Sequence, residues 1–320
     1  LLILNLIVFN IGIFGIAYKK HHQIDILPKI EYAEPIVPKI PKISNPNPAF
    51  LNNEEVVEQL KEWNKESPKF TEVKSYGKTS MSKDIYYIRI TNPNTSNKKV
   101  VLITGCIHGN EPLSTSVIMN YIGSILNKYG KDPEITQLVD TREIYFIPIV
   151  SPDTFTLKRY VDGVDPNRDF PTLTNPTKRS VPPVQSLRDL FEVIKPNAVI
   201  SGHTFGRVFL TPYGDQNTLC PNESDYKRII GKMAEMCKYR MMRACFNYGH
   251  PIFGTEIDWY YRHKAFSVVM EFGTHQNIPT KPEIDHEFTR TFNAVLFFIK
   301  EAPEVKILDQ PNSKLYKLRP

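Results

Sequence analysis

The sequence predicts an α/β fold, a single domain built on a mixed, mostly parallel central sheet flanked by helices on both faces. Three observations predict it. Short β-rich runs recur at 85–90 (IYYIRI), 100–104 (VVLIT), 144–150 (IYFIPIV), 198–201 (AVIS) and 266–271 (FSVVME). Several of them are apolar without interruption, as strands covered on both faces are. Between them lie helical stretches near 113–127, 184–195, 224–245 and 283–300, and this alternation, with no internal repeat, favours parallel pairing through crossover helices.

Taken in order, residues 1–18 (LLILNLIVFNIGIFGIAY) carry no charge and are followed at once by Lys19, Lys20, His21 and His22. Such a segment is expected to be a signal peptide or a membrane anchor, so that the rest of the chain is secreted or membrane-anchored with an extracytoplasmic domain. Six of the 26 prolines lie between residues 28 and 48, and no glycine occurs from residue 16 to residue 76. Proline without glycine makes a stiff, extended tether, so 19–50 is expected to be a linker or a propeptide. A catalytic domain is expected over 51–302, opening with a helix that Asn53 can cap and that carries Val56, Val57, Leu60 and Trp63 on one face. Residues 303–320 would form a tail. The net charge of +6, from 40 basic and 34 acidic residues, is mild and not gathered into one block, which gives no support to nucleic-acid binding. The four cysteines have no CxxC spacing. One bridge from Cys220 to Cys237 or Cys245 is compatible with an oxidising compartment, whereas Cys106 reads as a buried thiol.

In a sheet of this kind ligands bind beyond the carboxyl ends of the strands, and three polar clusters follow three of the strands. In GCIHGNEP (105–112), His108 and Glu111 sit three apart beside Gly105 and Gly109, whose backbone freedom lets both side chains point to one spot. In AVISGHTFG (198–206), His203 ends a second apolar strand and could complete a catalytic His2Glu zinc site. In SVVMEFGTH (267–275), Glu271 closes a strand that is otherwise apolar, where a carboxylate is costly unless paired or functional. Each has a plainer reading: a solvated loop with Glu111 at a helix N-terminus, or a satisfied histidine at a strand end. The loop KRYVDGVDPNRDFP (158–171) adds Arg159, Asn167 and Arg168. Asn167 with Arg168 can clamp a carboxylate, and a salt bridge from Arg168 to Asp165 or Asp169 is the equal alternative.

In this order, KSYGKTSMSKDIYYIRI, GCIHGNE, IVSPDTF, KRYVDGVDPNRDFP, SGHTFGRVFLTPYG, GTEIDWYY and FSVVMEF resemble the zinc carboxypeptidases of the pancreatic carboxypeptidase A group, over residues 74–271. The resemblance implies a metallocarboxypeptidase that binds one Zn2+ per chain through His108, Glu111 and His203. It makes Glu271 the general base and acid, gives Arg159 the scissile carbonyl, and gives Asn167 and Arg168 the terminal carboxylate of a peptide substrate. A monomer is expected. The mobile tyrosine of the family falls on His250 when counted back from Asp258 without gaps, and on Tyr248 if the loop is two residues longer. Ile257 matches the pocket floor, where an apolar residue goes with apolar or aromatic C-terminal residues. This sequence departs from the family in the Phe-Gly-Thr that follows Glu271 and in its short intervals between motifs, which imply trimmed loops. Two rival readings stay open: a zinc amidohydrolase acting on N-acyl amino acids or cell-wall peptides, and a non-catalytic surface binding module of the same fold.

Overall fold

The computed structural model describes residues 43–302 and 305. The expected leader 1–18, most of the spacer 19–50 and all of the tail 303–320 but residue 305 lie outside the described residues. The strands are β1 Thr71–Lys78, β2 Asp84–Ile90, β3 Lys99–Gly105, β4 Arg142–Ile147, β5 Ala198–Thr204, β6 Val208–Thr211, β7 Arg240–Arg243 and β8 Phe266–Phe272. They form one sheet in the order β1-β2-β4-β3-β5-β8-β6-β7. At its centre β4, β3, β5 and β8 run parallel, while β2 joins β4 and β6 joins β8 antiparallel. The sheet is therefore mixed with a parallel heart.

The helices are α1 Asn53–Glu66, α2 Pro112–Lys128, α3 Pro133–Thr141, α4 Pro182–Ile194, α5 Glu223–Cys237, α6 Ala244–Asn247, α7 Glu256–Arg262 and α8 Lys281–Glu301. Alternate residues of each central strand feed two separate cores, as the two-residue period of a strand requires. Val101 and Ile103 of β3, with Ala198 and Ile200 of β5, pack on the face covered by α1, α2, α3, α5 and α8. Leu102 and Val199 point the other way, into a core closed by Val184, Leu187 and Phe191 of α4 and Trp259 and Tyr260 of α7. That double burial is why these strands read as unbroken apolar runs.

Three local features differ from expectation. The cap of α1 is Asn52 rather than Asn53: Asn52 Oδ1 accepts from Glu55 N at 3.0 Å, and Glu55 Oε2 accepts from Asn52 N at 2.8 Å, a reciprocal capping box. The helix expected over 224–245 stops at Cys237, where Lys238 turns left-handed at φ 54° and sends its N–H back to Ala234. The chain then forms the edge strand β7 and the short α6. No glycine marks this stop, so the usual C-terminal signal is missing from the sequence. All four cysteines are free and buried, so the bridge weighed for Cys220 is not formed.

Strands β1 and β7 lie at the two edges of the sheet, and their polar, half-exposed sequences TEVKSYGK and RMMR give little apolar pattern to read. Among the described residues, no helix is long and apolar enough to cross a membrane.

Residues 43–50, which their proline content groups with the spacer, dock on the domain. Ile43 is buried in the larger core, Ser44 N donates to Glu66 Oε2 at 3.0 Å, and the carbonyls of Ser44 and Pro48 accept from Trp63 Nε1 and Asn120 Nδ2 at 2.7 and 3.0 Å. Trp63 is wholly buried and anchors this strap as well as α1. Trp63→Ala is expected to lower stability by about 3–5 kcal/mol, read from urea unfolding. A loss under about 1 kcal/mol would mean that strap and helix contribute little.

Candidate functional site

The polar residues singled out in the sequence converge at the carboxyl ends of β3, β5 and β8. Gly105 closes β3 beside Gly202 of β5, and His203 of β5 lies in register with Glu271 of β8. Beyond β3 the chain turns at Cys106, whose φ of 50° makes it the left-handed residue. The glycines, expected to make that turn, serve a different end: a Cβ on Gly109 would lie 2.1 Å from the Thr154 carbonyl oxygen, and one on Gly105 2.9 Å from that of Pro148. They are needed for close approach, which presses the 107–111 loop against the chain that follows β4.

Glu111 stands at the N-cap position of α2 but makes no capping bond with its side chain. Its carboxylate instead sits between two imidazoles, with Oε1 2.9 Å from His108 Nδ1 and Oε2 2.9 Å from His203 Nδ1. Thr204 N donates to Oε2 at 3.1 Å. All three residues are at most 2% exposed, and one ligand atom from each lies within 4.8 Å of the others. Two imidazoles and one carboxylate, gathered in a buried pocket beside a further carboxylate, are the donor set of a catalytic zinc site, which leaves a position open for reaction. The residues therefore fit the ion.

The outer nitrogens of the two imidazoles are held as well. His108 Nε2 is 2.9 Å from Asp165 Oδ1, and His203 Nε2 is 2.6 Å from Glu256 Oε1. Such partners fix the tautomer and the ring plane of a ligating histidine. Asp165 also accepts from Arg159 Nε at 3.0 Å through its other oxygen and from Asn167 N at 3.0 Å. Arg159 Nη1 lies 3.4 Å from Glu111 Oε1, which places its guanidinium against the cluster. Gln276, in the loop after β8, donates to Glu111 Oε1 at 3.3 Å and to the Thr204 carbonyl at 3.1 Å.

Asn167 and Arg168 form a single 3-10 turn with Pro166. Asn167 Oδ1 accepts from Glu256 N at 2.9 Å, and Arg168 Nη1 donates to the Asn167 carbonyl at 2.6 Å. Neither salt bridge weighed for Arg168 is made among the described residues: Asp165 is engaged with His108 and Arg159, and Asp169 with Lys178 at 2.8 Å. The Arg168 guanidinium instead lies 5.5 Å from the centre of the Tyr248 ring, within cation–π range. His250 is exposed, its ring turned to the Pro251 carbonyl. Ile257 is buried in a small apolar cluster with Val208, Leu210, Ala244, Ile252 and Val269. The next residue, Asp258, accepts from Gly214 N and Asp215 N at 2.9 Å each and so ties α7 to that turn.

Burial raises the Glu111 carboxyl, but His108 and His203 more than offset this and hold it below the usual carboxylate range. Burial likewise opposes charge on His203, yet Glu111 and Glu256 raise it well above its ordinary value. Glu271 has the opposite balance. Burial, with Glu111 and Glu256 nearby, pushes it up to about 8 against the opposing pull of His203 and Arg159, and its Oε2 is buried with no hydrogen-bond partner among the described residues. In the metal-free chain such a carboxyl keeps its proton at neutral pH, and the positive charge of a bound ion would favour the ionised form that a general base needs.

Sequence reasoning passed over Asp165 as a positioning group, and passed over Glu256 and Gln276 altogether. Asp165 appeared only as an alternative partner for Arg168. The need of a ligating histidine for an acceptor behind it was the available signal, and it pointed to an acid without saying which. Glu256 looks from the sequence like any acid in the first turn of a helix.

A family model described as zinc carboxypeptidase matches residues 56–294. Carboxypeptidase D of Rattus norvegicus is 23% identical over 285 residues, covering 76% of this chain and 20% of that protein, so the chain spans about a fifth of its length. Among solved structures, thrombin-activatable fibrinolysis inhibitor aligns with a TM-score of 0.71 at 17% identity, over 79% of this chain and 74% of that one. Carboxypeptidase A of Helicoverpa armigera aligns with a TM-score of 0.68 at 20% identity, over 79% and 73%. These structural likenesses concern the fold.

The raised Glu271 carboxyl has a consequence for stability. Without metal, the folded chain holds this proton up to about pH 8, whereas an unfolded chain releases it near pH 4.5. Its contribution to stability is therefore full below 4.5 and is lost as the pH rises toward 8. In chelator-treated protein, Glu271→Gln is expected to raise the melting temperature relative to the parent more at pH 8 than at pH 5. An equal shift at the two pH values would contradict the raised carboxyl.

Proposed function

Because the chain belongs to the zinc carboxypeptidase family, we propose that it is a metallocarboxypeptidase that removes the C-terminal residue from peptides. The observation that carries this reading is the meeting of His108, Glu111 and His203, at the ends of parallel strands that also carry Glu271 with its unpartnered Oε2, with the Arg159 guanidinium against Glu111. Held by His108, Glu111 and His203, a zinc ion supplies Lewis acidity, which brings the pKa of water toward neutrality and polarises a carbonyl.

The residues of the chain do the rest. Arg168 and Asn167 bind the free carboxylate of the substrate, Arg168 as a charged donor beside the Tyr248 ring and Asn167 through the amide nitrogen of its side chain. Anchoring that carboxylate fixes the cut one residue from the chain end. As water adds to the scissile carbonyl, Glu271 takes its proton and Arg159 donates to the developing oxyanion. Glu271 then returns the proton to the amine as the carbon–nitrogen bond breaks. Asp165 keeps Arg159 aimed at the site through its 3.0 Å bond. Tyr248 rather than His250 is assigned to the mobile tyrosine role, supported by its place at Arg168.

Ile257 and the apolar cluster around it support a preference for apolar or aromatic C-terminal residues. The uncharged run 1–18 followed by basic residues supports action outside the cytoplasm, as a secreted or membrane-anchored protein. Cleavage of N-acetyl amino acids or muropeptides in place of blocked dipeptides would turn the assignment to the amidohydrolase branch. Bound zinc without turnover would turn it to a binding module.

Digestion of a peptide library varied at its last residue, with and without a chelator, is expected to show metal-dependent release of single C-terminal residues, Phe and Leu ahead of Lys and Arg. Peptides with an amidated C-terminus should resist. Glu271→Gln is expected to keep its zinc and lose about 10²–10⁴-fold in kcat. Arg168→Ala should act chiefly on KM for free-carboxylate substrates.

A further inference from the structure

Glu256 is the first residue of α7 and is fully buried, yet none of the chemistry above uses it. Its Oε1 lies 2.6 Å from His203 Nε2, while its Oε2 has no hydrogen-bond partner among the described residues. A buried carboxylate left with one free oxygen is costly unless the contact it keeps is worth that cost. Among the described residues its side-chain hydrogen bond goes to the outer nitrogen of His203, as Asp165 contacts that of His108.

We infer that Glu256 is a positioning residue, a second carboxylate behind the metal site that fixes the Nε2–H tautomer of His203, aims Nδ1 at the ion and raises the affinity of the cluster for zinc. The inference rests on the reading of His203 as a zinc ligand. Its geometry also separates two tasks in one residue. The side chain serves His203, whereas the backbone N–H donates to Asn167 Oδ1 at 2.9 Å and so steadies the clamp on the substrate carboxylate. Asn167 Nδ2 also lies 3.4 Å from His203 Nε2, so a change of the Glu256 side chain should act first on metal binding while the backbone tie to the clamp stays in place.

The adjoining sequence gives this arrangement a wider reach. Ile257 and Asp258 follow directly, and Asp258 pins the same helix to the turn at Gly214 and Asp215. One short segment thus contacts His203 through its first residue, the apolar cluster of Val208 and Val269 through its second and the turn at Gly214 through its third. Glu256→Gln keeps size and shape but replaces the charged acceptor by a neutral amide, which strengthens the imidazole less as a ligand.

The test is a titration of zinc against a competing chelator for the parent protein, Glu256→Gln and Glu256→Asp, joined to the visible spectrum of the cobalt-substituted forms and to peptidase kinetics at saturating zinc. Glu256→Gln is expected to bind zinc 10–100-fold more weakly, to shift the cobalt spectrum, and to keep KM for a free-carboxylate peptide within about twofold of the parent by the backbone argument. Glu256→Asp keeps the charge but falls short by one methylene and should lie between the two. Zinc affinity within threefold of the parent for both variants, with an unchanged cobalt spectrum, would overturn the positioning role while leaving the peptidase reading intact. If Glu256→Gln does not fold, Glu256→Asp decides by the same measurements. A parent protein that binds no zinc would overturn both readings.

Discussion

The carboxylate of Glu111, buried between two imidazoles and a backbone amide, is the constraint on which the rest of the structure depends. Such a charge is stable in the interior only while each oxygen keeps its partners. Those partners come from the loop after β3, from the end of β5 and from Gln276 beyond β8. The parallel heart of the sheet sets these elements side by side, and the two glycines of the first loop let it lie close enough to the chain beyond β4 for the geometry to close. Architecture and site are thus one requirement met at two scales.

Around this centre the charges alternate. Glu111 is surrounded by His108, His203 and Arg159, and behind these stand Asp165 and Glu256. Glu271 is set apart from the pattern, with burial outweighing the nearby cations. The same neighbourhood therefore holds one carboxyl ionised and another inclined to protonate, and the difference lies in how many donors each receives.

Much of this was legible in the sequence. The central strands announce themselves because burial on both faces makes them continuously apolar, and their ends are marked by His108, His203 and Glu271 breaking that pattern. The edges were not legible, since β1 and β7 lack an apolar face, and the end of α5 was hidden because Lys238 adopts a conformation usually left to glycine. Single residues at strand ends could be found one at a time, but links between distant segments could not. Nothing in the chain order says that Asp165 would be shared by His108 and Arg159, or that Glu256 would reach His203 across 53 positions. The roles of Gly105 and Gly109 were likewise misread, because a close approach leaves no trace in the local sequence beyond the glycine itself.

The pairing of β8 has one more implication. Glu271 is flanked on one side by His203 of a parallel neighbour and on the other by Val208 of an antiparallel one, so its backbone is bound into the sheet from both directions. Tyr248 lies outside the sheet, at the end of the short α6, on a stretch that exposes Phe246 and Phe253. The two residues thus stand on different scaffolds, one on a strand bonded on both sides and the other at the end of a single-turn helix. Under the roles proposed for Tyr248 and Glu271, a change in the 246–253 stretch would leave the strand that carries Glu271 intact.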